Sequence, residues 1–426
     1  MTNEQDSRPQ ASWMKRLGAG FVTGAADDDP SGVGTYSQVG AKFGYAMLWV
    51  VFLTIPLMIA IQMVSARIGR VTGRGLADNL SHQFPKPAVW SLVALLVIAN
   101  VINIGADLAA MGAATQLLIG GPALLYALIL AVGSTALQVY LSFDRYAPVL
   151  KVLALTLFSY VATLFAVHIP WGTALAATVW PRIQWNTGYI TAVVAVLGTT
   201  ISPYLFCWQA AQEVEELRES DEREPLLHAN EQAPAALRRI AVDTTVGMVF
   251  SNVIAFAMIL TTAVVLHAHG KTDVASASDA AEALRPAAGR FAFTLFALGI
   301  ISTGLLAIPI LAGATAFAVA GATGARYGLA RKPREAKLFY AVLVGAMALG
   351  AVLTLSPVDP IKALYWSAVV NGVCAVPMMV AIMLVARRKQ VMGEHVVRGW
   401  LLALGWLATL IMGVAAIVML ATLGKS

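Results

Sequence analysis

The sequence predicts an all-helical membrane protein of about eleven spans, two of them broken near mid-membrane. Three observations carry that expectation. Of the 426 residues, 58% are hydrophobic and 12% charged, and the mean hydropathy is +0.73. Apolar residues come in long runs, so a soluble chain of this length is excluded. An otherwise apolar stretch from about Leu17 to Leu48 contains Asp27-Asp28-Asp29-Pro30-Ser31-Gly32. A later apolar stretch contains Gly198-Thr199-Thr200-Ile201-Ser202-Pro203-Tyr204.

Residues 1–17 form a polar tail without the short apolar core of a cleavable signal. The first span, 18–45, carries the three aspartates. A charge at bilayer depth costs roughly 3 kcal/mol, so such residues face protein or water rather than lipid. Pro30 removes a backbone donor and Gly32 tolerates an unusual turn. The span therefore breaks, and acidic side chains with freed carbonyls line a polar site. Spans two to five follow at 46–68, 88–118, 122–142 and 146–168. In the third, Asn100, Asn103 and Asp107 share one helical face at i, i+3 and i+7. Interhelical hydrogen bonding is the plain reading for the asparagines. Asp107, an isolated intramembrane carboxylate, needs a partner or water and is the candidate for function.

The sixth span, 188–213, repeats the break with glycine, hydroxyl residues and proline. It stands five spans after the first. Paired interruptions in matching positions point to a transport site built on an inverted repeat. Residues 18–168 and 188–386 would be the two halves of a 5+5 repeat, with 399–422 an additional helix. The remaining spans fall at 240–266, 290–322, 337–356, 361–386 and 399–422. Residues 1–426 thus form one membrane transport domain with no separate soluble part. Asn252, Thr303 and Asn371 are polar positions in late spans, read mainly as packing contacts. Cys207 and Cys374 lie in apolar segments without metal spacing and read as small packing residues.

With the N-terminus inside and the spans alternating, the outer side keeps only Lys42, Arg182, Lys271, Arg285, Arg290, Lys362 and Lys425 of 29 lysines and arginines. That bias follows the positive-inside rule and supports the count. It predicts a cytoplasmic N-terminus and an outer C-terminus in a bacterial inner membrane. The net charge of +6 is thus a topology signal, not a nucleic-acid surface. Trp171, Trp180 and Trp185 fit an outer interfacial belt. The mixed-sign run Glu213–Glu224 reads as a solvated helix extension. No phosphate-binding loop, nucleophile elbow or zinc-ligand spacing is present, so neither an ATP-driven pump nor an enzyme is expected, and no cofactor.

The first break continues through Gln38-Val-Gly-Ala41-Lys-Phe43-Gly44-Tyr45. Together with Asp29-Pro30-Ser31-Gly32 this resembles the Nramp divalent-metal transporter family. That family carries Asp-Pro-Gly-Asn and then Gln-x-Gly-Ala-x-Phe-Gly-Tyr. Residues 198–204 resemble its Gly-Ala-Thr-x-Met-Pro-His, and Ala106-Asp107-Leu108-Ala109 its Asp-Leu-Ala-Glu region. The resemblance implies a LeuT-type fold and alternating-access metal transport. Departures carry information. Gly32 replaces the asparagine, Ser202 the methionine and Tyr204 the histidine after the proline. Gln209 replaces a second histidine and Ala110 the glutamate. A hydroxyl in place of a thioether removes a soft ligand and leaves oxygens. Magnesium favours such a site, keeping several waters and using one or two carboxylates. The pattern is similar to the divergent Nramp-related branch that includes magnesium transporters. Without the histidines and glutamate, weak or absent proton coupling is expected.

The expected metal ligands are Asp29 first, then Asp28, Gly32 and Thr199 through their freed backbone carbonyls, and Ser202 through its hydroxyl, directly or through water. Asp27, Asn103, Asp107, Gln209 and Asn371 are expected along the pathway. The expected partners are a divalent metal ion as substrate and the lipid bilayer. Two other readings remain open from the residues. One is an organic-cation, amino-acid or polyamine carrier of the same fold. The other is a metal-gated membrane protein without turnover.

Overall fold

The computed structural model describes residues 24, 27–141, 152, 155–219, 222–274 and 276–423. The first half of the first span, the start of the fifth, and Arg8, Lys15, Arg16, Arg145, Lys151 and Lys425 lie outside the described residues. Among the described residues every regular element is a helix.

Helix α1 (Pro30–Phe43) is the second half of the broken first span and stops at Gly44, which takes a positive φ of 56°. Helix α2 (Leu48–Thr72) follows, closed by left-handed Gly73. A short amphipathic α3 (Leu76–Gln83) leads to α4 (Lys86–Ile119) and α5 (Ala123–Tyr140). Helices α6 (Phe158–Ala166) and α7 (Trp171–Val179) precede the sixth span. That span is α8 (Thr187–Thr200) and α9 (Pro203–Arg218). Then come α10 (Ala233–Val265), the small outer α11 (Ala277–Glu282) and α12 (Ala292–Thr323). Helices α13 (Lys337–Leu353), α14 (Pro360–Arg387) and α15 (Gly399–Leu423) complete the chain.

Eight stretches among the described residues are long and apolar enough to cross a membrane, and Leu155–Ala166 and Lys337–Leu353 are shorter apolar helices. Together they match the expected spans, because the first such stretch holds both the end of span one and span two. The broken sixth span is the most enclosed, 94% of its apolar window being buried, against 33% for α15. That contrast sets α15 at the periphery, where Leu410 and Ile417 expose apolar surface suited to lipid. Centrally, α1 packs on α10 and α14, α8 on α14, and α12 along α4. The α4–α12 contact includes Asn100, which donates to the Leu311 carbonyl and the Thr315 hydroxyl. Asn252 likewise links α10 to Thr54 and Met58 of α2. Thr303 donates to the Gly299 carbonyl one turn back. Asn100 and Asn252 hold helices together, as expected of polar groups in lipid, whereas the Thr303 bond stays within α12.

The run that begins in the last turns of α9 corrects the sequence reading. Glu213 and Glu215 are 1% and 5% exposed, not solvated. Arg239 closes on Glu213 at 2.5 Å and on Glu216 at 3.0 Å, and Glu215 pairs with Arg218 at 2.7 Å. The cause is tertiary: Arg239 lies near the start of α10. That helix begins at Ala233, well before the expected 240, because its basic residues pair with α9 rather than ending the helix.

On the opposite side, the Gln38 amide clasps the loop after α10. It donates to Asp273 at 2.9 Å and accepts from the Val274 N–H at 2.9 Å. The same loop is tied by Lys271 to Asp279 at 2.6 Å and to Glu282 at 3.3 Å. Burial pushes the Asp279 carboxyl up, but Lys271 and the Ser276 hydroxyl outweigh it and hold it below the usual carboxylate range. A depressed carboxylate contributes stability above its unfolded pKa of about 3.9, which is lost as pH falls through the folded value. Protection factors over 276–284, corrected for intrinsic exchange, should therefore hold at pH 6 and drop below about pH 4. Asp279→Asn should remove that pH step.

Candidate metal site

The two breaks share one construction. Asp29 is extended (φ −68°, ψ 171°) and Pro30 opens α1. Ser202 is extended (φ −80°, ψ 135°) and Pro203 opens α9. Proline forces the preceding residue out of helical geometry and is itself preorganised for a helix start. In each span it therefore marks where one helix stops and the next begins.

Asp29 uses both carboxylate oxygens. Its Oδ1 accepts from the Ser31 hydroxyl at 2.6 Å and the Gly32 N–H at 2.8 Å, capping α1. Its Oδ2 accepts from Asn103 Nδ2 at 2.9 Å and lies 3.4 Å from the Tyr204 hydroxyl. One side chain thus ties the first break to the third and sixth spans. Asp107, one turn beyond Asn103, is fully buried and neither oxygen has a hydrogen bond of good geometry. The Asp29 carboxylate and the Ser31 N–H are close by.

The Thr199 hydroxyl, unpartnered and buried, lies against Gly32. A Cβ added there would come within 3.3 Å of it and of the Tyr36 ring. Gly32 therefore lets α1 and α8 approach closely at the breaks, at a position where the family pattern carries a side chain. The Ser202 hydroxyl lies 2.8 Å from the Gly198 carbonyl and 3.0 Å from the Thr199 carbonyl and has one proton to give them. It would reach an ion through its lone pairs, with that proton held by the turn behind it.

Asp27 and Asp28 face the seventh span. The Ser251 hydroxyl lies 2.6 Å from Asp27 Oδ2 and 3.2 Å from Asp28 Oδ1. A hydroxyl has one proton, so it donates to one carboxylate at a time. Asp27 Oδ1 and Asp28 Oδ2 have no partner. Asn371 is buried on α14 with both amide atoms unpartnered, beside Gly372, which packs on Gly198. Gln209 is buried on α9, about two turns past the break.

Sequence reasoning missed Ser251 and gave Tyr204 no role. The only signal for Ser251 is a hydroxyl beside Asn252 in an apolar helix. Tyr204 had a better one, since it occupies the position after the break proline.

Asp27, Asp28, Asp29 and Asp107 are each at most 1% exposed. Among the described residues, the groups acting on them are hydroxyls, amides and one another, with no lysine or arginine. Among the described residues no three His, Cys, Asp or Glu side chains stand ready to share one ion.

A family model described as natural resistance-associated macrophage protein-like matches residues 20–422. The chain belongs to the Nramp family. The divalent metal cation transporter MntH of Aeromonas hydrophila is 30% identical over 301 residues, 68% of this chain and 69% of that protein. The MntH of Klebsiella pneumoniae strain 342 is 27% identical over 397 residues, 92% of this chain and 90% of that protein. Among solved structures, an Eremococcus coleocola manganese transporter superposes with TM-score 0.73 at 16% identity, covering 99% of this chain and 89% of that one. The nucleobase-cation-symport transporter Mhp1 superposes with TM-score 0.59 at 15% identity, covering 95% and 90%. These likenesses establish the LeuT-type fold of this Nramp chain, with its paired interrupted helices.

Proposed function

We propose that this Nramp chain is a secondary transporter that carries divalent metal cations across the membrane by alternating access. Family membership supports the class of cargo. The observation that carries the site is four buried carboxylates near the two breaks with no basic side chain among the described residues to balance them. Buried charge left unpaired is costly, so a cation or proton must supply the balance. A divalent ion passing through the site does so and is released when the site opens to the other side.

Asp29 is the primary ligand in this reading, because from the break in span one its carboxylate reaches Asn103 of span three and Tyr204 of span six. Asp28, Gly32, Thr199 and Ser202 supply further oxygens, directly or through water. Asp107, Asn103, Asp27, Gln209 and Asn371 lie along the route. An all-oxygen donor set favours hard cations such as magnesium or manganese, bound with part of their water. The positions that the family fills with histidine and glutamate are Tyr204, Gln209 and Ala110, which supports weak or absent proton coupling. Residues 18–168 and 188–386 form the two repeats. The positive-inside bias supports a cytoplasmic N-terminus and an outer C-terminus in a bacterial inner membrane.

Ser202→Met tests the donor argument. A thioether beside the Thr199 carbonyl should raise cadmium affinity at least tenfold relative to magnesium. An unchanged cadmium-to-magnesium ratio would separate Ser202 from the ion. A polyamine carrier would instead be thermally stabilised by spermidine and not by divalent ions.

A further inference from the structure

We propose that the Tyr36 hydroxyl belongs to the ion site and, with the Thr199 hydroxyl, holds a water that the cation keeps, so that the cargo is a partly hydrated divalent ion. This rests on the metal-transport reading above and deepens it.

Tyr36 lies on α1, six residues after Pro30. Helical side chains lean toward the helix N-terminus, over the turn before their own Cα. For Tyr36 that turn holds Gly32, and beyond it lies Asp29 at the break. The geometry bears this out: a Cβ on Gly32 would come within 3.3 Å of Tyr36 Cε2. The same Cβ would come within 3.3 Å of Thr199 Oγ1. The tyrosine ring and the threonine hydroxyl therefore share one flank of Gly32, where the two broken spans meet.

Tyr36 is fully buried, and among the described residues its Oη has no hydrogen bond of good geometry. Asp27, Asp28, Asp29 and Thr199 all act on it. Thr199 Oγ1 is likewise buried without a partner, as are Asp27 Oδ1 and Asp28 Oδ2. Burying an unpaired hydroxyl is costly, so packing alone would favour phenylalanine at this position. A water bound to a divalent ion turns its lone pair to the metal and has two hydrogens to give. Phenol and threonine oxygens both accept such bonds. Magnesium dehydrates reluctantly and keeps several waters, and a buried water needs two or more polar partners. Tyr36 and Thr199 meet that need from two different spans and add no charge, while Asp29 faces the ion itself.

Isothermal titration of the purified full chain in detergent micelles with magnesium and manganese tests this. The proteins are wild type, Tyr36→Phe, Thr199→Val, the double variant and Asp29→Asn. Tyr36→Phe keeps the ring, and Thr199→Val keeps the backbone carbonyl. Each should weaken binding about tenfold, the weight of roughly one hydrogen bond. Because both hold the same water, the double variant should fall well short of the about hundredfold loss that independent contacts would give. The melting temperature of ion-free Tyr36→Phe should not drop, which separates a lost ligand from lost packing. Wild-type affinity in Tyr36→Phe would overturn the inference. So would a double variant weakened by the product of the two single factors, or a lowered ion-free melting temperature. Binding lost in Asp29→Asn but intact in Tyr36→Phe would sink this inference alone. No binding by the wild type would sink the metal-transport reading with it.

Discussion

Asp29→Asn should lower divalent-metal uptake into proteoliposomes at least a hundredfold while the protein still folds. The substitution keeps the shape of the side chain. Its Oδ1 can still accept from Ser31 and the Gly32 N–H, so the cap of α1 survives. The new amide would meet the Asn103 amide donor, yet Asn103 Oδ1 is unpartnered. A flip of the Asn103 amide therefore restores a bond. What cannot be restored is the negative charge at a residue that joins the first break to the third and sixth spans. A hundredfold loss corresponds to about 2.7 kcal/mol, a modest demand on a carboxylate facing a divalent ion away from bulk water. A well-folded variant with wild-type flux would remove Asp29 from the site.

Gly198→Val should be the most destabilising single change near the breaks. A Cβ on Gly198 would overlap the backbone of Ala368 and Gly372 on α14. Backbone cannot turn aside as a side chain can, so α8 and α14 must separate. Overpacking costs about 1–3 kcal/mol and occasionally more, and a clash with main chain belongs at the upper end. Thr199 and Ser202 lie within the next turn, so the separation also displaces them from Gly32 and α1. The melting temperature should fall by several degrees and transport should be lost. Gly133→Ala is the control: nothing lies within 4 Å of a Cβ there on α5. It should be neutral or slightly stabilising, since alanine exceeds glycine in helix propensity by about 1 kcal/mol. Equal melting temperatures for the two variants would mean that α8 and α14 are not in the contact described.

Both breaks were legible in the sequence because Asp-Pro and Ser-Pro in hydrocarbon have few tolerable structures. The spans were legible for the same reason, since lipid demands length and apolarity. Partners across the fold were not. Asn100 and Asn103 stand one turn apart on one face, yet Asn100 bonds α12 and Asn103 bonds Asp29. Only the relative placement of three helices separates them. Ser251 joins Asp27 across 224 residues of chain, a relation that no local pattern carries. The acidic run at the end of α9 failed as a surface reading because its counter-charge, Arg239, comes 26 residues after Glu213. The hydroxyl of Ser202 was recognisable as a possible donor, but its commitment to the Gly198 and Thr199 carbonyls depends on the local backbone at the break.

The central claim is an oxygen-lined seat for a hard divalent cation, held by Asp29 at the meeting of two broken helices. Isothermal titration of the purified protein with magnesium, manganese and cadmium in turn tests it most directly, with Asp29→Asn alongside. The account predicts saturable magnesium or manganese binding that Asp29→Asn abolishes, with cadmium no tighter. Cadmium binding more tightly than both, or magnesium and manganese heats unchanged in Asp29→Asn, would contradict it.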